Sequence, residues 1–338
     1  MDRSLLLCAL SALSVPALAG PQPTVFAHFY YWYPINANIC THHAPEGHFD
    51  RSDPAWWIGE LRNAQYAGVD VLTLMYWHKH KYNPATLEVL LEAVRRMEAA
   101  GEPHPKVAMH LDGIESLTNL HGEWPIKHCD LTHPTVQEGA LQAFVGFFRF
   151  FKERGMLDLC FRHDGKLVAF AYRPEYNNVQ ALADNSMVDL WHRRFREELG
   201  EDLYLVLETA YDYARQPATG TDMHCTNADN YYRWDAALHG PLLEKRGEFP
   251  IATVGPGFDP SGQGKDKPKR DRRDGETFRE DLEQAIQWAA PWLVIETFNF
   301  FEEGTDITET QEFGRKYLDI ARECTARFRD AVRATGPR

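Results

Sequence analysis

The chain has 338 residues, of which 44% are hydrophobic and 25% charged, a globular balance without the bias of a disordered or fibrous chain. Its formal net charge is −13, which argues against nucleic acid or an anionic membrane as partner, because both are held by a cationic face. Beyond the first twenty residues no apolar run is long enough to cross a membrane, so neutral ligands are the class left open.

The chain begins Met1-Asp2-Arg3-Ser4, followed by an apolar stretch from Leu5 to Leu18 and the small-x-small triplet Ala17-Leu18-Ala19 before Gly20. A short basic start, an apolar run of about 7–15 residues and such a triplet make a secretory leader. Residues 1–19 are therefore predicted to be a signal peptide cleaved near Ala19, leaving a secreted or periplasmic protein with one domain over 20–338. Pro16 and the Gly20-Pro21-Gln22-Pro23 segment oppose a buried helix there. Cys40, Cys129, Cys160, Cys225 and Cys324 survive that cleavage, and none sits in a C-x-x-C pair. A zinc ribbon or thioredoxin-like site is thus not expected, and whether or not one or two disulfides form on export, at least one thiol stays unpaired.

In chain order, Thr24 to Tyr33 is a β-rich run ended by Pro34. A helix follows from Asp53 to Ala67, opened by Ser52 or Asp53 before Pro54 and closed by Gly68. Val69 to Trp77 is a nearly continuous apolar strand. The alternation continues with helix Pro84 to Ala100, strand Lys106 to Asp112, helix Thr135 to Arg154, strand Lys166 to Tyr172, helix Ala183 to Leu199 and strand Leu203 to Thr209. Asn227 to Tyr232 is a weak strand candidate. Strand Pro250 to Val254, helix Gly275 to Ala289, strand Trp292 to Phe298 and a helix from Thr310 to about Ala334 complete the series. Apolar strands alternating with amphipathic helices imply a parallel sheet covered on both faces. Eight strand candidates favour an α/β fold of the (β/α)₈ or TIM-barrel kind in a single domain, and the lack of G-x-G-x-x-G after the first strand opposes a dinucleotide-binding sheet.

Barrel enzymes place their chemistry at the carboxyl ends of the strands. Polar residues there are Tyr30, Tyr31 and Trp32 after the first strand, Trp77 and His78 after the second, Asp112 after the third, and Tyr172, Arg173 and Glu175 after the fourth. The fifth contributes Glu208, Tyr211 and Asp212, the seventh Asp259, and the eighth Glu296, Asn299, Glu302 and Glu303. Aromatic rings stack on the C–H faces of sugars, and paired carboxyls supply the proton and the charge that glycosidic cleavage needs. Each of these residues also has an ordinary reading as a rim carboxylate or core aromatic; their clustering is what favours carbohydrate chemistry. No metal or cofactor is expected, since His42, His43, His48, His78 and His80 match no compact ligand spacing. No Gly-x-Ser-x-Gly elbow supports a serine hydrolase. The basic loop Gly262 to Arg273 is read as a solvated segment, with an anionic-substrate site as the alternative.

The segments FAHFYYWY (26–33), AGVDVLTLMYW (67–77), KVAMHLD (106–112), TVGPGFD (253–259), RRDGETF (272–278) and ETFNFFEEGTDI (296–307) together resemble glycoside hydrolase family 99, the endo-α-mannosidases and endo-mannanases. The resemblance implies a barrel glycosidase whose last strand runs into two glutamates three residues apart. Asn299, Glu303, Gly304, Thr305 and Ile307 match that pattern, and the family's first glutamate falls on Phe300. In the family that first glutamate takes a proton from the sugar 2-hydroxyl, so the resemblance carries over the proton donor, Glu303, and not its partner.

The resulting expectation is a glycoside hydrolase acting on a poly- or oligosaccharide, α-mannan-like on the strength of the resemblance. Glu303 is the general acid/base and Glu208, Glu296 or Asp112 the second carboxylate. Glu208 is preferred because Glu296, inside the last predicted strand, is placed to face the barrel interior. Tyr31, Trp32, Trp77, His78, Asp112, Tyr211, Asp259, Asn299 and Glu302 are the expected substrate-binding residues. The alternative is a catalytically weak carbohydrate-binding barrel, for which Phe300 speaks directly.

Overall fold

The period-two and 3.6-period patterns fold as separate strands and helices in a computed structural model, which describes residues 21–31, 39–45, 50–76, 83–112, 129–130, 134–172, 179–181, 185–209, 226–264 and 268–335. The barrel strands are β1 (Thr24–Phe29), β2 (Val71–Tyr76), β3 (Lys106–Leu111), β4 (Lys166–Ala171), β5 (Leu203–Glu208), β6 (Asn230–Tyr232), β7 (Ile251–Val254) and β8 (Trp292–Ile295). The helices are α1 (Pro54–Ala67), α2 (Asn83–Ala99), α3 (Pro134–Glu153), α4 (Asn185–Leu199), the short α5 (Ala236–His239), α6 (Glu276–Trp288) and α7 (Lys316–Thr335). Among the described residues no helix is long and apolar enough to cross a membrane.

Parallel ladders join β7 to β8, β8 to β1, and so on round to β6. The remaining gap, between β6 and β7, is filled by the Leu242–Glu244 strand, which runs antiparallel to β7, and by an Asn230–Gly247 bridge. The barrel is thus nearly closed. Two small pairings were not foreseen from the sequence: Arg162–His163 folds back on β4, and Cys129–Asp130 pairs with Val179–Ala181.

Alternation along each strand divides the apolar side chains between two cores. Phe26, Val71, Ala108, Val168, Phe170, Tyr204, Val206, Tyr232, Trp292 and Val294 fill the barrel. The alternate residues along the same strands, such as Val25, Ala27, Leu72, Leu74, Leu205, Leu207, Leu293 and Ile295, pack outward under the helices. Helix α1 shows why the boundaries were legible. Asp53 caps it by accepting from Ala55 N at 2.8 Å, and Gly68, at φ 76, donates to Ala64 O and Gln65 O. A Cβ on Gly68 would lie 2.4 Å from Thr325 Oγ1, so glycine also lets α7 approach. The last helix starts later than the expected Thr310, because Thr310 to Gly314 closes a separate bridged turn with Gly314 at φ 54. Cys40, Cys160 and Cys324 are free thiols.

Candidate active site

Above the apolar plug, the inward-facing positions become polar. One step up lies a buried belt: His28 on β1, Thr73 on β2, His110 on β3 and Tyr232 on β6. His28 Nδ1 is 2.6 Å from Thr73 Oγ1, His110 Nε2 is 3.0 Å from Tyr232 Oη, and the two imidazoles lie with centroids 4.1 Å apart. Burial, and then the neighbouring His110, hold His28 well below the usual histidine range, and burial pushes His110 down to about 3. Both rings are thus held toward the neutral form, which lets them pack against each other at a tilt of 36°.

The next inward layer is the mouth. Parity carries it from Val294 to Glu296, from Val206 to Glu208, from His110 to Asp112 and from Phe170 to Tyr172. Glu296 is 3% exposed and accepts from Ala236 N at 2.8 Å. That contact depends on Gly255, where a Cβ would lie 2.4 Å from Ala237 Cα, and on Arg270, which grips Ala236 O at 3.1 Å while pairing with Asp281. Burial first, then the charge of Asp235 and finally that of Glu303 push the Glu296 carboxyl well above its ordinary value, against the N–H groups of Ala236 and Ala237. Asp235 itself adopts a left-handed φ of 75, an uncommon conformation for a side-chain-bearing residue and one that clusters at functional sites. Glu296 thus feels two further carboxyls, those of Asp235 and Glu303, at the end of β8.

Glu303 is half-buried in the Phe301–Glu303 turn, closed by Gly304 at φ 56. The turn is fixed from three sides. Thr41 N and His42 N donate to Phe301 O, Asp259 N donates to Glu303 O at 2.8 Å, and Arg272 donates to Gly304 O and Asp306 O. Burial alone would raise Asp306, but Arg272 and the hydrogen bond from His42 outweigh it and hold that carboxyl below its ordinary value. Asn299 uses both ends of its amide on Tyr30, accepting from its N–H and donating to its C=O, each at 2.8 Å. Phe300 lies flat on the Tyr30 ring, with centroids 4.2 Å apart and planes 13° from parallel.

The expected site residues fare unequally. Glu303, Glu296, Glu208 and Asp112 all lie at the carboxyl end, the last three on inward parity. Glu296 faces the interior, as anticipated, and is at the same time coupled to Glu303. Tyr31 is a correction: its side chain is buried in the layer between sheet and helices, near Trp57, with its hydroxyl donating to Asn83 at 2.9 Å. The parity of β1 requires this, since Phe26, His28 and Tyr30 point in. Asn299 is a second correction, its amide being committed to the Tyr30 backbone. The Asp259 carboxylate is engaged by Ser261 N and Lys269, which outweigh burial and keep it below its ordinary value; Glu302 accepts from Gln263. Trp32, Trp77, His78 and Tyr211 lie outside the described residues.

In the described part of the basic loop, Lys269 and Arg273 are exposed, as a solvated segment would have them, while pairing with Asp259 and Glu280; Arg270 and Arg272 are drawn in against Asp281 and Asp306. His42 and His43 likewise pair with Asp306 and Glu312. Sequence reasoning missed Trp234. It follows β6, half-buried, and packs at a tilt against Tyr172 and His28, with centroids 4.5 and 4.9 Å away. Its inward parity with Tyr232 was the available signal.

The family described as "Domain of unknown function (DUF5010)" matches residues 26–335. No curated protein matches the chain. Among solved structures, the GH99 endo-α-mannosidase from Bacteroides thetaiotaomicron in complex with bis-tris-propane is similar at TM-score 0.65 and 17% identity, covering 93% of this chain and 99% of that one. A second structure of that enzyme gives a TM-score of 0.63 at 17% identity, over 92% and 99%. A glycoside hydrolase-like protein gives 0.59 at 16%, over 92% and 97%. At these identities the likeness is one of fold.

Proposed function

The chain belongs to the family described as a domain of unknown function, DUF5010, and we propose that it is a glycoside hydrolase acting on an oligo- or polysaccharide of the α-mannan kind, exported behind the leader that ends near Ala19. The observation that carries this reading is the carboxyl cluster at the end of β8, in which a buried Glu296 and a half-buried Glu303 interact electrostatically. Burial and its neighbours hold the Glu296 carboxyl toward its neutral form, and Glu303, on the turn beside it, is the residue assigned to pass a proton to the leaving oxygen. The proton returns to Glu303 from the water that completes hydrolysis.

Glu208 supplies the carboxylate that supports the anomeric centre. It lies three strands from β8, inside a hydrogen-bonded strand, in register with Tyr232. Rigid elements hold catalytic groups better than loops do, and this favours Glu208 over Asp112, which follows the end of β3. Trp234 and Tyr172, in contact with each other, offer apolar ring surface on which a sugar could stack.

The test is turnover of a panel of α-mannans and other glycans by the full chain. On a substrate that is cleaved, Glu303→Gln lowers kcat by at least about 10²-fold with the fold retained, because the amide keeps the shape and loses the proton. A second reading, a barrel that binds sugar without cleaving it, is favoured by Phe300, which puts a ring where the resembling family has its proton-abstracting glutamate. Binding of a glycan with no turnover, and only a small change in affinity for Glu303→Gln, would establish that reading instead.

A further inference from the structure

At the amino-terminal end of the barrel, opposite the mouth, His163, Asp164 and Glu248 bring three ligand atoms within 4.8 Å of one another. His163 Nε2 is 3.4 Å from Glu248 Oε2 and 4.0 Å from Asp164 Oδ2. We propose that these three residues bind one divalent transition-metal ion of the zinc class, which fastens the hairpin before β4 to the segment before β7.

Two independent features support this beyond the cluster itself. His163 is only 9% exposed, and its Nε2 has no hydrogen-bond partner among the described residues, although two carboxylates face it. A buried ring nitrogen so placed is costly unless something ligates it. The ring is also clamped edge-on by Tyr204, Phe249 and Trp292, at centroid distances of 4.8, 5.3 and 5.3 Å, so Nε2 is aimed rather than free to swing. The carboxylates are equally placed by the backbone. Asp164 and Gly165, at φ 46 and 80, form the two-residue turn between Arg162–His163 and Lys166–Leu167, and Glu248 N donates to Asp229 O. Tyr204 Oη donates to Glu248 Oε2 at 2.8 Å, the outer-shell hydrogen bond that orients a ligating carboxylate.

Zinc takes imidazole nitrogen and carboxylate oxygen at about 2.0–2.2 Å, which in a tetrahedron sets ligand atoms roughly 3.3–3.5 Å apart. The His163 to Glu248 spacing already meets this, and the exposed Asp164, on its turn, needs to close on the other two by up to about 1.4 Å. One neutral imidazole and two carboxylates cancel the ion's charge, and water fills the fourth position. The imidazole selects against magnesium and calcium, which prefer oxygen. Lys166, just after the turn, is paired with Asp229 at 2.6 Å, and Arg162, just before it, with Glu201 at 2.8 Å.

The experiment is titration of the chelator-stripped full chain with zinc chloride by calorimetry, with thermal melting in parallel. The expected result is one ion per chain with a Kd at or below about 10 µM, and a rise in Tm of at least about 2 °C in excess zinc. Asp164→Asn, at an exposed turn where folding is not at stake, weakens binding at least about 10-fold, and His163→Gln abolishes it. Magnesium chloride in its place gives neither heat nor Tm shift. No stoichiometric binding up to about 100 µM zinc, or binding that Asp164→Asn leaves unchanged, overturns the proposal. Neither outcome bears on hydrolysis at the mouth.

Discussion

The two ends of the barrel are filled by the same alternation and yet are opposite in character. At the base, Trp292 is packed by Phe26, Phe249 and Tyr204 with centroids 4.7 to 5.6 Å away, a dry aromatic plug. At the mouth, the same inward positions of β8, β5 and β3 carry Glu296, Glu208 and Asp112. Burying aromatic surface stabilises a fold; burying a carboxyl costs free energy unless it is paired or protonated. The mouth sets carboxyls on the inward positions of three strands, whereas the base fills the same positions mainly with rings. The Arg272, Asp306 and His42 network serves the mouth by holding the Glu303 turn.

Breaking the base should therefore have the larger effect on stability. Trp292→Ala removes a ring from the centre of the plug and should cost about 3–5 kcal/mol of unfolding free energy in urea titrations, with little change in the turnover per folded molecule. If instead Trp292→Ala left the unfolding midpoint alone and abolished glycan binding, the division between the two ends would fail.

The mouth gives a smaller effect of the opposite sign. Glu296 keeps its proton to a pH well above the value at which an unfolded glutamate loses it. Between those two values the folded state binds more protons than the unfolded one, so stability falls as pH rises, by up to about 1.4 kcal/mol per pH unit. It is fully present only below the unfolded pKa. Glu296→Gln has no such proton to lose, and should be more stable than the parent chain near neutral pH while the two converge in acid. Unfolding free energies measured from pH 4 to 8 check this; parallel curves for the two proteins would show that Glu296 is not held protonated.

Much of this architecture is written in the sequence, because apolar parity and helix caps are local signals. The eight barrel strands and the main helices lie within a few residues of where periodicity puts them, except α7, delayed by the Gly314 turn. Parity also places Glu208 and Asp112 inward. The errors arise where position after a strand was read without parity: Tyr31 follows Tyr30, so it had to turn outward, and Trp234 was hidden because β6 has only three residues. What no local pattern could reveal are the long-range partners. The amide of Asn299 is spent on Tyr30, 269 residues away, and Arg272 finds Asp306 across the turn that carries Glu303. The electrostatic coupling of Asp235 to Glu296 depends on the Ala236 turn meeting Gly255, a packing event between distant segments.

The smallest predicted effect bears on the boundary between cleaving and binding. Phe300 and Tyr30 form a parallel stack at the rim. Phe300→Leu keeps most of the volume and loses the ring pairing, so it should cost about 0.5–1.5 kcal/mol by urea titration. Phe300→Glu tests function as well as packing. It restores on paper the two glutamates three residues apart of the resembling family, but it adds a carboxyl near Glu296 and Glu303, where like charges already push one proton affinity up. If the native chain cleaves glycans with Glu303 and Glu208, Phe300→Glu should be no more active than the parent and slightly less stable. If Phe300→Glu alone turns a bound α-mannan over, the native ring is what silences the site, and the mouth of this barrel is built to hold sugar rather than to break it.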